Sequence, residues 1–326
     1  MKRMAPSSFW LIVLPATVAI LAVGLRWGGV SIPLSAMPGL LAEWLTGAPS
    51  PEAIVLWQIR LPRLLLAWLI GATLAVVGAS LQALLRNALA DPYVLGISSG
   101  AALGAVIGGL VMPSLSGQGL LFVWAFGGSL LTLVLVYRVT SVHGVLPVQT
   151  LLLAGVVINA VFTAIVLMAV AMAEPTRMFG MLAWLMGSLS AADYATVGLL
   201  AVWCAIGLTL LISRAPQLNL LTLGDESARS LGVEPEPLKR LIYITTALLT
   251  GAVVSMSGMI GFIGMMVPHL LRLLIGPDHR LILPAAALAG GLFLVLADLL
   301  ARALLSPAEL PVGVITALCG GPFFLY

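Results

Sequence analysis

The sequence predicts an all-α polytopic membrane protein of about ten spans, forming one domain over residues 1–326. Three observations carry the prediction. Hydrophobic residues make up 61% of the chain and charged residues only 8%, where soluble domains carry about 25% charged. The mean hydropathy is +1.15. The apolar residues gather into runs of about 20, long enough to cross a bilayer as helices, and no polar stretch is long enough for a separate soluble domain. The formal charge of +3 sits on scattered loop arginines, not on a basic patch with interleaved aromatics, so nucleic acid is excluded as a partner.

In chain order the spans fall at roughly 9–25, 64–84, 94–112, 119–137, 149–172, 194–212, 241–258, 260–275, 282–300 and 311–325. The first follows MKRMAPSS and has the charge and apolar run of a signal peptide. It is long and lacks a clean A-x-A site, so it reads as an uncleaved span with its N-terminus cytoplasmic. Residues 27–62 are too polar to span and too apolar to float free. They should hold an interfacial helix around Met37–Trp44, with Trp44 and Trp57 at the water boundary. The third, eighth and tenth spans are interrupted by Gly and Pro. Glu174–Asp193, with Trp184 and the adjacent Tyr194, reads as a second cap on the outer side. Cys204 and Cys319 lie inside apolar runs and read as small buried hydrophobes. Counting Lys and Arg supports this orientation, with ten residues inside and five (Arg26, Arg60, Arg63, Arg177, Arg302) outside.

Between spans six and seven, residues 218–240 form a charged island in an otherwise apolar chain. Asp225, Glu226, Glu234 and Glu236 crowd together with Arg229, Lys239 and Arg240. First-turn acids favour a helix N-terminus, Gly232 offers a stop, and Pro235 and Pro237 prevent continuation. A short exposed helix over roughly 226–231 follows, on the cytoplasmic side. It reads as a handle by which a separate machine moves the spans.

Small residues describe the packing. Gly100, Gly104 and Gly108 recur every fourth position, as do Gly71, Ala75 and Ala79. Each set serves either tight internal packing or the lining of a pathway or subunit interface. Gly71-Ala72 with Gly78 is echoed by Gly251-Ala252 with Gly258, which is either an inverted five-span repeat or a coincidence of small residues. Intramembrane chemistry finds little support. Gln82 and Asn159 are isolated, Asp298 and Arg302 have the spacing of an i,i+4 ion pair, and His269 follows Pro268 as a structural histidine. No catalytic dyad, metal-ligand spacing or cofactor motif is present. The two lysines, Lys2 and Lys239, do not follow Gly, so a P-loop is absent as well. A transporter with neither a nucleotide site nor a mid-span carboxylate implies a borrowed motor.

Several blocks resemble a known family. LWQIRLPRLLLAWLIGATLAVVGASLQALLRNALADPYVLGISSGAALG (56–104), LLLAG (151–155), LTLGDESARSLGV (221–233), GFIGMMVPHLLR (261–272) and LADLLARALLSPAELPVGVITALCGGPFF (296–324) are similar to the binding-protein-dependent ABC importer permeases for cobalamin, ferric siderophores and haem. The likeness runs the length of the chain in order. It implies a type II importer permease fold in the inner membrane, a homodimer with the pathway at its interface, two copies of a cytoplasmic ATPase, and a substrate-binding protein outside. Within 221–233 it assigns ATPase coupling to Gly224, Asp225, Glu226, Ala228, Arg229, Leu231 and Gly232. Arg60, Arg63 and Arg302 match outer-rim arginines that pair with acids of the binding protein; by themselves Arg60 and Arg63 would only mark a span boundary. The family usually continues past the last span with basic residues, whereas this chain stops at Tyr326. An iron complex is the commoner cargo among relatives, with cobalamin close behind.

Overall fold

The computed structural model describes residues 4–27, 32–111, 118–141, 144–190, 192–305 and 308–325. Among them α1 (Pro6–Arg26) is followed by a short helix α2 (Met37–Thr46) and by a long helical segment over residues 51–85. Ser50 caps that segment by accepting from the Ala53 N–H at 3.3 Å. It comprises α3 (Pro51–Ile54), a π-turn (Val55–Arg60) and α4 (Leu61–Leu85). The chain continues through α5 (Ile97–Val111), α6 (Gln118–Thr140), α7 (Val148–Met172), α8 (Pro175–Leu185) and α9 (Tyr194–Ser213). Then come α10 (Ala215–Leu221), α11 (Asp225–Ser230), α12 (Pro235–Ser257), α13 (Ile263–Ile275), α14 (His279–Ala303) and α15 (Val312–Leu325).

Seven of these segments are long and apolar enough to cross a membrane, at 7–26, 51–85, 119–140, 148–172, 194–213, 235–257 and 279–303. The shorter apolar helices α5, α13 and α15 complete the set of ten expected from sequence. They coincide with the three interrupted spans. At about 1.5 Å per residue each is only about 20–22 Å long, less than the roughly 30 Å hydrocarbon layer. Irregular backbone makes up the difference before α5 and α13, and it is covered by protein as the bilayer requires. Before α5, Asp91 caps a 3₁₀ turn (Pro92–Leu95) by accepting from the Tyr93 N–H at 2.9 Å. The Gln82 amide donates to the carbonyls of Ala90 and Gly264, both at 3.2 Å.

The helices form an inner set and an outer ring. In α4, α12 and α14 most of the span is buried, whereas α1, α6, α7 and α9 turn broad apolar faces outward. Glycines set the inner contacts. A Cβ on Gly71 would lie 2.2 Å from the Gly290 carbonyl of α14, and one on Gly78 would lie 1.9 Å from the Gly264 carbonyl of α13. Gly251 of α12 meets Ser129 of α6 in the way that Gly71 of α4 meets α14. Likewise α4 packs on α13 as α12 packs on α5. These paired contacts are what an inverted exchange of spans two and seven, four and nine, and three and eight would produce.

Other expectations fare unequally. The interfacial helix at 37–44 is α2, and the Trp57 indole donates to the Leu40 carbonyl at 3.3 Å. The cap at 174–193 contains α8, and the Tyr194 hydroxyl bonds the Trp57 carbonyl, joining the two caps. His269 lies edge-on to Phe323 and Phe324, at 5.8 and 6.0 Å between ring centroids. Cys204 is buried against Thr73, but Cys319 is exposed. It sits on an outward apolar face of α15 beside Leu318, where an apolar neighbourhood in sequence does not mean enclosure.

Candidate functional site

The charged island folds into a short helix with a built-in start and stop. Helix α11 begins one residue earlier than expected, at Asp225, with Asp225 and Glu226 in its first turn and Arg229 in its last. Gly224 precedes it at φ +115° and ψ 158°, a conformation essentially reserved for glycine. At the other end Gly232 adopts φ +86°. The Val233 N–H returns to the Ala228 carbonyl at 2.9 Å and the Gly232 N–H to the Arg229 carbonyl at 3.0 Å. This is a Schellman closure, which satisfies the last carbonyls without lengthening the helix.

The seven residues assigned to coupling do not share one face. Glu226, Arg229, Leu231 and Gly232 are exposed, and Leu231 is 57% accessible. Ala228, one of the seven, is fully buried against its own chain. Its smallness lets α11 lie flat on the protein. Exposed Leu223, just before α11, gives the outward surface a second apolar residue that sequence reasoning did not single out.

Asp225 points inward and anchors the helix. Its carboxylate bonds the Arg86 guanidinium at the end of α4 and accepts from Lys239 Nζ of α12 at 2.9 Å. Burial alone would raise this carboxyl, but hydrogen bonds and charge from Lys239 and Arg86 outweigh it and hold it below the usual carboxylate range. Arg86 Nε also donates to the Leu221 carbonyl at 3.0 Å. In α10 the Asn219 amide donates to Asp278 at 2.6 Å and its oxygen accepts from the His279 N–H at 2.9 Å, tying α10 to the start of α14. Sequence reasoning missed Arg86, Asn219 and Asp278, because 139 residues separate Arg86 from Asp225 and 59 separate Asn219 from Asp278.

The opposite end of α4, about 37 Å away for a helix of this length, gathers the three outer arginines. They are less exposed than expected for a docking rim. Arg60 is 3% and Arg63 7% accessible. Arg60 donates to the carbonyls of Leu25 and Arg26 at 2.8 and 3.0 Å, closing the end of α1. Arg63 Nε donates to Asp298 Oδ1 at 2.9 Å and its Nη1 to Glu309 Oε2 at 2.8 Å. The i,i+4 pair is present, with Arg302 Nη2 3.0 Å from Asp298 Oδ2. Asp298 is fully enclosed: Arg63 hydrogen-bonds its Oδ1, and its Oδ2 has the Arg302 charge beside it without a hydrogen bond, whereas the Glu309 side chain is half exposed. Burial of Arg63 and Arg302 reflects neutralisation by Asp298 and Glu309, whereas Arg60 is held by backbone carbonyls.

Gly100 and Gly104 pack α5 onto α6. Cβ atoms there would lie 1.9 Å from Thr132 Oγ1 and 2.0 Å from the Trp124 carbonyl, while Gly108 faces the Trp124 ring. Internal packing therefore accounts for these three. A cavity of about 410 Å³ between α5, α6 and α8 is lined instead by Ala105, Gly109, Arg177 and Trp184. Asn159 is half-buried on α7, its backbone beside Gly96.

Comparison with known proteins covers nearly the whole chain. A model of the FecCD transport family matches residues 16–326. The cobalamin import system permease protein BtuC of Halobacterium salinarum is 40% identical over 309 residues, spanning 95% of this chain and 81% of that protein. The hemin transport system permease protein HmuU of Yersinia pestis is 44% identical over 293 residues, spanning 87% and 85%. Among solved structures, a metal-chelate type ABC transporter in an inward-facing conformation superimposes with a TM-score of 0.84 at 30% identity, covering 98% of both chains.

Proposed function

The chain belongs to the FecCD transport family, and on that premise we propose that it is the transmembrane permease subunit of an ATP-driven importer in the inner membrane. Its cargo is a bulky metal chelate, namely cobalamin, haem or a ferric siderophore, moved by alternating access. Two copies of the chain enclose the pathway, two copies of a separate ATPase bind at the α11 end, and a soluble binding protein docks at the Arg63 end. The observation that carries this reading is α11 itself. It is a short helix with a glycine at each end, exposing Glu226, Arg229 and Leu231 while Asp225 fastens it to α4 and α12. An exposed lever fastened to two spans is what a motor on another chain requires.

The arginine cluster supports the docking assignment in modified form. Glu43 on α2, Glu52 on α3, Asp298 and Glu309 balance Arg26, Arg60, Arg63 and Arg302, so this end carries no net positive charge. A binding protein would meet the half-exposed Glu309 carboxylate with Arg63 behind it, a pair that orients docking more than it adds affinity.

The test is affinity purification of the solubilised chain from its own host, with mass spectrometry of what remains bound. An ATPase at equal stoichiometry is the expected result, and a binding protein recovered with it can be loaded with candidate chelates. A chain that purifies alone and moves substrate into liposomes without ATP would replace the proposal with an ion-coupled carrier.

A further inference from the structure

The first turn of α12 does more than receive Asp225. Its side chains also grip residues 144–147, which lead into α7. Glu236 Oε2 accepts from the Leu146 N–H at 2.7 Å, and Lys239 Nζ donates to the Leu146 carbonyl at 3.3 Å. Arg240 donates to the Gly144 carbonyl. Both backbone polar groups of Leu146 are therefore held by α12, and the Leu146 side chain is 1% exposed. Helix α7 starts two residues later, at Val148.

We propose that Lys239 is a positioning residue that makes α11 and the 144–147 segment move as one body, so that displacement of α11 is delivered to the start of α7. The Lys239 side chain is 3% exposed and touches Asp225, Glu236 and the Leu146 carbonyl. An ammonium in such a place cannot be left without partners, because an uncompensated buried charge is strongly destabilising. If α11 moved alone, Lys239 would keep Glu236 and the Leu146 carbonyl but lose one of its two carboxylates. The cluster keeps all its contacts only when it travels together. The two segments are then linked through one atom, Nζ.

Helix α7 is suited to receive the displacement. Only 22% of its span is buried, against 83% for the span containing α4, so it can pivot at its anchored end without opening the inner set. Arg86 extends the linkage to the end of α4 through Asp225 and Leu221. The inference rests on the reading of α11 as the surface an ATPase pushes, but the linkage itself can be measured without that partner.

The experiment is hydrogen exchange with mass spectrometry on the purified full chain in lipid nanodiscs, comparing the wild type with Asp225→Asn, Asp225→Glu and Lys239→Met. Asp225→Asn should speed exchange at 225–233 and also at 146–152, each by about tenfold, while α13 and α15 stay unchanged. Asp225→Glu, which keeps the carboxylate, should restore protection at 146–152. Lys239→Met should reproduce the Asp225→Asn pattern; the surface variant keeps the test valid if this one fails to fold. Exchange that rises at 225–233 and is unmoved at 146–152 overturns the proposal. Uptake by cells carrying Asp225→Asn tests the ATPase reading separately: full transport despite loosened 146–152 would remove that reading and leave the linkage intact.

Discussion

Replacing Gly224 by alanine isolates the backbone contribution to holding α11. Nothing lies within 4 Å of where the new Cβ would be, so no steric clash contributes. The residue sits at φ +115° and ψ 158°, and forcing an L side chain into that region costs about 1–3 kcal/mol. What opposes the strain is small. The buried methyl of Ala228 contributes about 0.8 kcal/mol. The ion pairs of Asp225, whose side chain is 39% exposed, contribute about 0–1 kcal/mol each after screening. The strain is thus as large as the anchoring, and α11 should detach or reorient. Since 1.4 kcal/mol is tenfold, hydrogen exchange at residues 225–233 should rise by roughly 5- to 150-fold, with the thermal midpoint of the whole chain unchanged. Uptake should fall in parallel. Exchange no faster than in Ser227→Ala, an exposed control on the same helix, would refute the reasoning.

Three further outcomes follow from the packing and the charges. Gly78→Ala places a Cβ 1.9 Å from the Gly264 carbonyl, an overpacking against backbone that costs about 1–3 kcal/mol or more. It should lower the thermal midpoint in detergent, whereas Gly127→Ala, with nothing within 4 Å, should not; equal midpoints would contradict the close approach of α4 and α13. Asp298→Asn removes the buried acid between Arg63 and Arg302 and should cost about 3–5 kcal/mol, measured as a loss of midpoint; an unchanged midpoint would mean the cluster is not buried as described. For pH, the Asp225 carboxyl is held below its usual range, so its contribution is complete above about pH 4 and is lost as pH falls through the folded value beneath that. Protection of α11, corrected for intrinsic exchange rates, should be flat from pH 7 to 5; a loss within that window would assign the anchor to another group.

Much of the architecture was legible because a bilayer permits so few solutions. Apolar runs of span length must be helices, and all ten appear, the first within a few residues of its expected limits at 7–26. The three spans interrupted by Gly and Pro became the three short helices, since residues that weaken a helix mark where irregular backbone replaces it. Glycine spacing identified the tight helix faces but not their partners. Gly71 and Gly290 meet across more than 200 residues, and no local period encodes such a pairing. The same distance in sequence hid Arg86 from Asp225.

Orientation of side chains was the least legible feature, and the two ends of α4 show why. A charged residue at a span boundary suggests exposure, because water is the cheapest partner for a charge. Arg63 is nevertheless enclosed, with Asp298 and Glu309 arriving from residues more than 230 positions away to replace water. At the other end, the resemblance assigns Ala228 to coupling along with its neighbours, but its methyl faces inward while the charged side chains Glu226 and Arg229 face out. Both cases follow one rule. What a helix end presents outward is decided by which of its groups the rest of the chain can satisfy, and those contacts are long-range. The residues left over, among them Glu226, Arg229, Leu231 and Leu223 at one end and Glu309 and Ile59 at the other, are therefore ones a partner can reach without first breaking the fold.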